Sequence, residues 1–219
     1  MDALIVECRA ILFDMDGTLV DSTSVVERQW KQFAERHGLD YARIMRISHG
    51  RRNAETIREI APHLATTEVF EQFDAAERED RHGLRAVSGS AELLGKLVQG
   101  EWAVVTSASC ELAANRLQAV HLPLPKILIG ADNVRLGKPD PEGYLTAARL
   151  LNIEPELCVV FEDTRPGLQA ARAAGMRAVG ITTTFPHTQL GSVDCIADFE
   201  DAGVDRTSSG SIRLTLARY

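Results

Sequence analysis

Two aspartates, Asp14 and Asp16, stand two residues apart in Asp14-Met15-Asp16-Gly17-Thr18, directly after the apolar run Ala10-Ile11-Leu12-Phe13. In extended chain, alternate side chains share a side, so the two carboxylates emerge together. Like charges held that close are costly unless a cation lies between them. Oxygen donors of this kind suit a hard divalent ion such as Mg²⁺. Gly17 lets the chain turn and Thr18 adds a hydroxyl. An Asp-Gly pair also makes an ordinary turn, and only the apolar run before it sets this one apart.

Three more apolar runs end in groups that such a site needs. The first ends in Thr106-Ser107, whose hydroxyls and backbone N–H groups can hold phosphate oxygens or simply cap a helix. Gly137-Lys138-Pro139-Asp140-Pro141 then places one lysine in a stiff loop before a helical pattern. A lysine there is a point charge able to balance phosphate and carboxylate alike, although a lone surface lysine looks the same in sequence. The third run ends in Glu162-Asp163-Thr164. The pleat of a strand lets only one of the two acids face inward. Asp163 is read as the one completing a metal site with Asp14 and Asp16, and Glu162 is left without a role.

The elements that must position these groups follow a regular rhythm. Short apolar runs at 10–13, 102–105, 126–129, 157–161 and 178–181 read as buried strands. Helical patterns at 88–98, 110–120, 141–151 and 166–174 lie between the later ones, the last stopped by Gly175. This alternation argues for an α/β fold with a parallel sheet covered on both faces.

From 22 to 85 the rhythm breaks, with helical patterns at 25–36 and 68–81 and no convincing strand. An insert there would overhang the C-terminal edge of the sheet, where α/β proteins bind ligands. The expected division is a core of 1–21 and 86–219 and a helical insert of 22–85. Trp30, Phe33, His37 and Leu39 have the spacing of one helix face and are read as the insert's own core. His49-Gly50-Arg51-Arg52 offers basic and hydrogen-bonding groups, and His49 and Arg52 are candidates to reach substrate hydroxyls. A solvated helix start with an Arg–Glu pair is the competing reading. The stretch 205–219 alternates through Ile212, Leu214 and Leu216, as an added edge strand or a loose tail.

The bulk composition narrows the partners. The 219 residues carry a formal net charge of -7, which repels a phosphate backbone and argues against nucleic acid. Cys8, Cys110, Cys158 and Cys195 are scattered, with neither zinc spacing nor a disulfide framework. No apolar run approaches the ~20 residues that span a bilayer. A soluble cytoplasmic chain, monomeric or weakly dimeric, acting on a small phosphorylated molecule and not on a membrane, is the expectation.

The order Asp-x-Asp-Gly-Thr, Thr-Ser, Lys-Pro, Glu-Asp, each after its own strand, resembles the haloacid dehalogenase superfamily of phosphohydrolases over nearly the whole chain. Val20-Asp21-Ser22, His49-Gly50-Arg51-Arg52, Trp102-Ala103-Val104-Val105-Thr106-Ser107, Gly137-Lys138-Pro139 and Val159-Val160-Phe161-Glu162-Asp163 look most like its sugar- and polyol-phosphate phosphatases. The resemblance implies a Rossmann-like core with a helical cap domain inserted after the first strand. It also implies that Asp14 attacks phosphorus and becomes an aspartyl phosphate, while Asp16 is the acid and then the base. Mg²⁺ would lie between Asp14, the main-chain carbonyl of Asp16, and Asp163, with Thr106 and Lys138 anchoring the phosphoryl group. A phosphosugar mutase shares every core residue and is the nearest alternative. A phosphonate hydrolase wants a cap lysine, and none lies between Gln32 and Gly95; a dehalogenase needs no acid at Asp16. A non-catalytic sensor of a phosphorylated ligand has no use for two crowded carboxylates.

Overall fold

Ala10–Phe13 contains no polar side chain and is buried at all four positions, the signature of a strand covered on both faces. In the computed structural model, which describes residues 3–219, it is the second strand of the chain. Strand β1 (Ala3–Cys8) precedes β2 (Ala10–Phe13), and β3 (Val20–Asp21) follows it. Four helices come next: α1 (Thr23–His37), α2 (Tyr41–Ser48), α3 (Asn53–Ile60) and α4 (Thr67–Glu79). The chain continues through β4 (Arg85–Ala86), α5 (Ser90–Lys96), β5 (Trp102–Val105), α6 (Cys110–Ala119) and β6 (Leu128–Ile129). It then runs through α7 (Glu142–Leu151), β7 (Cys158–Glu162), α8 (Arg165–Ala173) and β8 (Arg177–Ile181). Helix α9 (His187–Leu190) and strands β9 (Asp194–Ile196), β10 (Gly203–Arg206) and β11 (Ile212–Ala217) complete it.

Six strands form one parallel sheet in the order β6-β5-β2-β7-β8-β9. The pleat sends alternate residues of β2 to opposite faces. Ile11 and Phe13 pack with Trp102, Phe161, Leu93 of α5 and Leu117 of α6. Ala10 and Leu12 pack with Val105, Val160, Tyr144 of α7 and Ala170 of α8. Helices therefore cover both faces, as the strand–helix rhythm requires. The five expected strands all occur, with 126–129 shortened to Leu128–Ile129.

The stretch 205–219 is neither a loose tail nor an edge of this sheet. Strand β11 lies between β1 and β10 in a separate three-stranded antiparallel sheet. Its buried Ile212, Leu214 and Leu216 join Leu4, Val6 and Cys8 of β1 on the first face of the core. Among helices α1–α4, Trp30, Phe33, Ala34, Ile44, Ile57 and Phe73 form a cluster of their own. The His37 ring lies tilted against Phe33 with centroids 4.5 Å apart, and Leu39 packs against the same cluster. The chain enters and leaves these helices side by side, through the antiparallel pair β3–β4. Among the described residues, no helix is long and apolar enough to cross a membrane.

Candidate active site

Strands β2, β5 and β7 are adjacent and parallel, so the loops that leave their C-terminal ends share one rim of the sheet. Asp14 is fixed there by its backbone N–H, which donates to the Phe161 carbonyl at 3.0 Å. The next turn is tight, with the Met15 carbonyl accepting from the backbone N–H groups of Leu19 and Val20 at 2.8 and 2.9 Å. Gly17 sits in it at φ +81°, a conformation that side chains disfavour. A Cβ at Gly17 would also collide with the Asp163 carboxylate, so this position admits little but glycine.

Lys138 arrives from the loop before α7 and is 6% exposed. Its ammonium has three protons and three acceptors: Asp14 Oδ1, Glu162 Oε1 at 2.6 Å and the Val105 carbonyl at 3.1 Å. Burial alone would lower its pKa, but the Asp14 and Glu162 carboxylates outweigh burial and hold it above the ordinary lysine range. Glu162, which sequence left unassigned, is the other half of this clamp. It accepts from Tyr144 at 2.9 Å, from the Thr164 N–H at 3.2 Å and from the Thr164 hydroxyl at 3.0 Å. Gly167 in the first turn of α8 makes room for it, since a Cβ there would overlap the Glu162 carboxylate.

Asp163 points the other way, toward Gly17 and Thr184. Thr184 donates to its Oδ2, while Oδ1 is buried with no partner. An orphaned buried carboxylate oxygen asks for a cation. Asp14, Glu162 and Asp163 each bring a carboxylate oxygen to within 4.8 Å of the others. Because Lys138, Tyr144 and Thr164 already occupy Glu162, the acids open to a divalent ion are Asp14 and Asp163. Burial, with repulsion from Asp14 and Glu162, pushes Asp163 well above the usual carboxylate range. Burial likewise raises Asp14 against the pull of Lys138. A hard cation would remove both penalties, so this donor set suits Mg²⁺.

A cleft opens above these groups between the sheet rim and helices α1–α4, and Asp14, Asp16, Thr106, Ser107, His49 and Asp163 all line it. Thr106 is 6% exposed, and its hydroxyl accepts from the Ala108 N–H at 3.1 Å. Ser107 donates to the Gly50 carbonyl at 2.8 Å and so ties the rim to the insert. His49 lies edge-on to Phe185 with ring centroids 5.2 Å apart, and burial lowers its pKa. Arg52 does not face this cleft. Its guanidinium donates to the Val134 carbonyl at 3.0 Å and the Arg135 carbonyl at 3.2 Å, beside Glu55.

Asp16 is not alone on its side of the cleft. Its Oδ1 accepts from Arg116 Nη1 at 2.7 Å, and Arg116 Nη2 donates to Glu77 Oε1 at 3.1 Å. Sequence reasoning missed both Arg116 and Glu77. Each is a charged residue on a helix rich in polar positions, where a solvated side chain is the ordinary expectation.

A family model described as haloacid dehalogenase-like hydrolase matches residues 8–175. Hexitol phosphatase A of Escherichia coli is 33% identical over 94% of this chain and 98% of that protein. 2-Deoxyglucose-6-phosphate phosphatase 2 of Saccharomyces cerevisiae is 34% identical over 86% of this chain and 85% of its own length. Among solved structures, a hydrolase from Pseudomonas syringae superposes with a TM-score of 0.76 at 26% identity, covering 88% of this chain and 94% of that one.

Proposed function

The chain belongs to the haloacid dehalogenase-like hydrolases, and from that premise and its site we infer a phosphatase that hydrolyses small sugar or polyol phosphates through Asp14. The single observation that carries the reading is the buried Asp14, clamped through one oxygen by Lys138 and facing the cleft beside the orphaned oxygen of Asp163. A carboxylate so fixed is a nucleophile of defined direction.

Asp14 attacks phosphorus in line, the bond to the leaving sugar or polyol oxygen breaks, and an aspartyl phosphate forms. Asp16 gives its proton to that oxygen. It then takes a proton from the water that hydrolyses the aspartyl phosphate, releasing inorganic phosphate and restoring Asp14. Thr106 and Ser107 offer hydroxyls at the rim, and Lys138 keeps a positive charge beside the nucleophile. Asp14, Asp163 and the main-chain carbonyl of Asp16 would hold Mg²⁺, which when bound spreads the charge of the phosphoryl oxygens. Residues 22–85 form the cap, and His49 meets the hydroxyl-bearing part of the substrate. The similarity to phosphatases of hexitol and deoxyhexose phosphates supports this substrate class.

The test is phosphate release from a panel of sugar and polyol monophosphates, with Mg²⁺ and with chelator. Release that needs Mg²⁺ and disappears in Asp14→Asn is expected. Turnover that persists in Asp14→Asn, or conversion to an isomer without free phosphate, would overturn the reading.

A further inference from the structure

One wall of the cleft is built around a buried cation. Arg116 projects from α6, and its side chain is only 4% exposed. Its guanidinium lies between two carboxylates that belong to different parts of the fold. Asp16 comes after β2 in the core, and Glu77 stands on α4 of the insert. Glu77 is equally enclosed, and its second oxygen accepts from Asn53 at 2.6 Å, at the start of α3. The chain of contacts Asp16–Arg116–Glu77–Asn53 therefore runs from core to insert along the wall of the cleft.

The planar fork of a guanidinium suits such a bridge, because its donors diverge in fixed directions and lose little freedom on binding. Without it, the Asp16 side chain, 26% exposed at the cleft, would be free to swing about its rotamers. With it, Oδ1 is taken up by Arg116, and Oδ2 is left as the oxygen that handles a proton. We propose that Arg116 is a positioning residue that aims Asp16 at the leaving-group oxygen, and that it does so only while the insert is docked, because Glu77 holds the other half of its fork. The proposal rests on the reading of Asp16 as the proton donor.

The experiment compares Arg116→Ala, Arg116→Lys and Glu77→Gln with the unaltered protein, all in Mg²⁺. Two probes separate the roles: glycerol 1-phosphate, whose alkoxide must be protonated, and 4-nitrophenyl phosphate, whose phenolate leaves without help. On glycerol 1-phosphate, Arg116→Ala should lower kcat by about ten- to a hundredfold, less than the 10²–10⁴ that proton transfer itself contributes. KM should stay within about threefold, because positioning for the transition state changes kcat rather than ground-state binding. Glu77→Gln should show a smaller loss of the same kind. On 4-nitrophenyl phosphate, the first turnover should keep its speed, seen as an undiminished burst of nitrophenolate before a slowed steady state. Millimolar guanidinium should restore part of the lost kcat of Arg116→Ala.

Arg116→Lys keeps the buried charge and decides the matter if Arg116→Ala fails to fold. Asp16 and Glu77 are met by two different nitrogens of Arg116, and the single nitrogen of a shorter lysine side chain cannot stand in both places, so its kcat should also fall. A full kcat in Arg116→Lys or Arg116→Ala would overturn the proposal, as would a loss confined to KM. Full kcat in Asp16→Asn would instead overturn the underlying reading, so the two failures are distinguishable.

Discussion

Asp14 and Asp16 leave β2 two residues apart and meet different surroundings. Asp14 is buried against Lys138, whereas Asp16 opens on the cleft beside Arg116. Asp14→Asn preserves shape and removes the proposed nucleophile, so kcat should fall by on the order of 10³-fold or more with the melting temperature maintained. Asp16→Asn should cost about 10²–10⁴ in kcat on alkyl phosphates, and less in the first turnover of an aryl phosphate. Equal losses on both kinds of substrate would count against its acid role. The crowded acids also fix a pH dependence. A carboxyl whose pKa is higher in the folded chain than in the unfolded one binds its proton more tightly when folded. Its contribution to stability is then complete at low pH and is lost as pH rises through the raised value. Asp14 moves from 3.8 to about 8, so the metal-free protein should lose stability between about pH 4 and pH 8. The proposed Mg²⁺ would bind the deprotonated acids, and its increase in melting temperature over chelator should be larger at pH 8 than at pH 5. An equal increase at both would contradict the assignment of Asp14 and Asp163 as the ion's donors. Asp14, Lys138 and Asp163 were legible in sequence because each follows an apolar run or sits in a stiff Gly/Pro loop. Arg116 was not, since its burial depends on α4, far away in the chain.

The strands of the parallel sheet were legible for a reason internal to each: short, apolar, branched runs that bury both faces. Strand β1 gave no such signal. It alternates exposed and buried residues, with Ile5 and Glu7 outward, and its meaning depends on a partner at the other end of the chain. The alternation of Ile212, Leu214 and Leu216 was visible, but nothing in it names Leu4, Val6 and Cys8 as the neighbours. This small sheet is structural rather than ornamental. Leu214 is fully buried, so Leu214→Ala should destabilise the protein by roughly 2–5 kcal/mol in denaturant unfolding. A change below about 1 kcal/mol would mean that the small sheet is dispensable to the core.

At the scale of the whole molecule, helices α1–α4 meet the core at a few polar points. They include Arg52 to the Val134 and Arg135 carbonyls, Ser107 to the Gly50 carbonyl, and Arg116 to Glu77. Arg52 is better understood as one of these ties than as a substrate ligand. Arg52→Ala should weaken docking by about 1 kcal/mol, roughly fivefold in the open population. Limited proteolysis around 80–86 should quicken accordingly; an unchanged cleavage rate would show that Arg52 carries no such tie. The run of helices α1–α4 was legible because helical patterns replace strands at 22–85. The ties were not, since each joins residues remote in sequence. The antiparallel ladder between β1 and β11 bears on how this molecule is made. Residues 3–8 leave the ribosome ahead of the whole sheet and its helices, whereas their partners at 212–217 follow it. Leu4, Val6 and Cys8 therefore lack their β11 cover until residues 212–217 have been made, so this corner of the protein cannot close while the stretch between the two strands is still being synthesised.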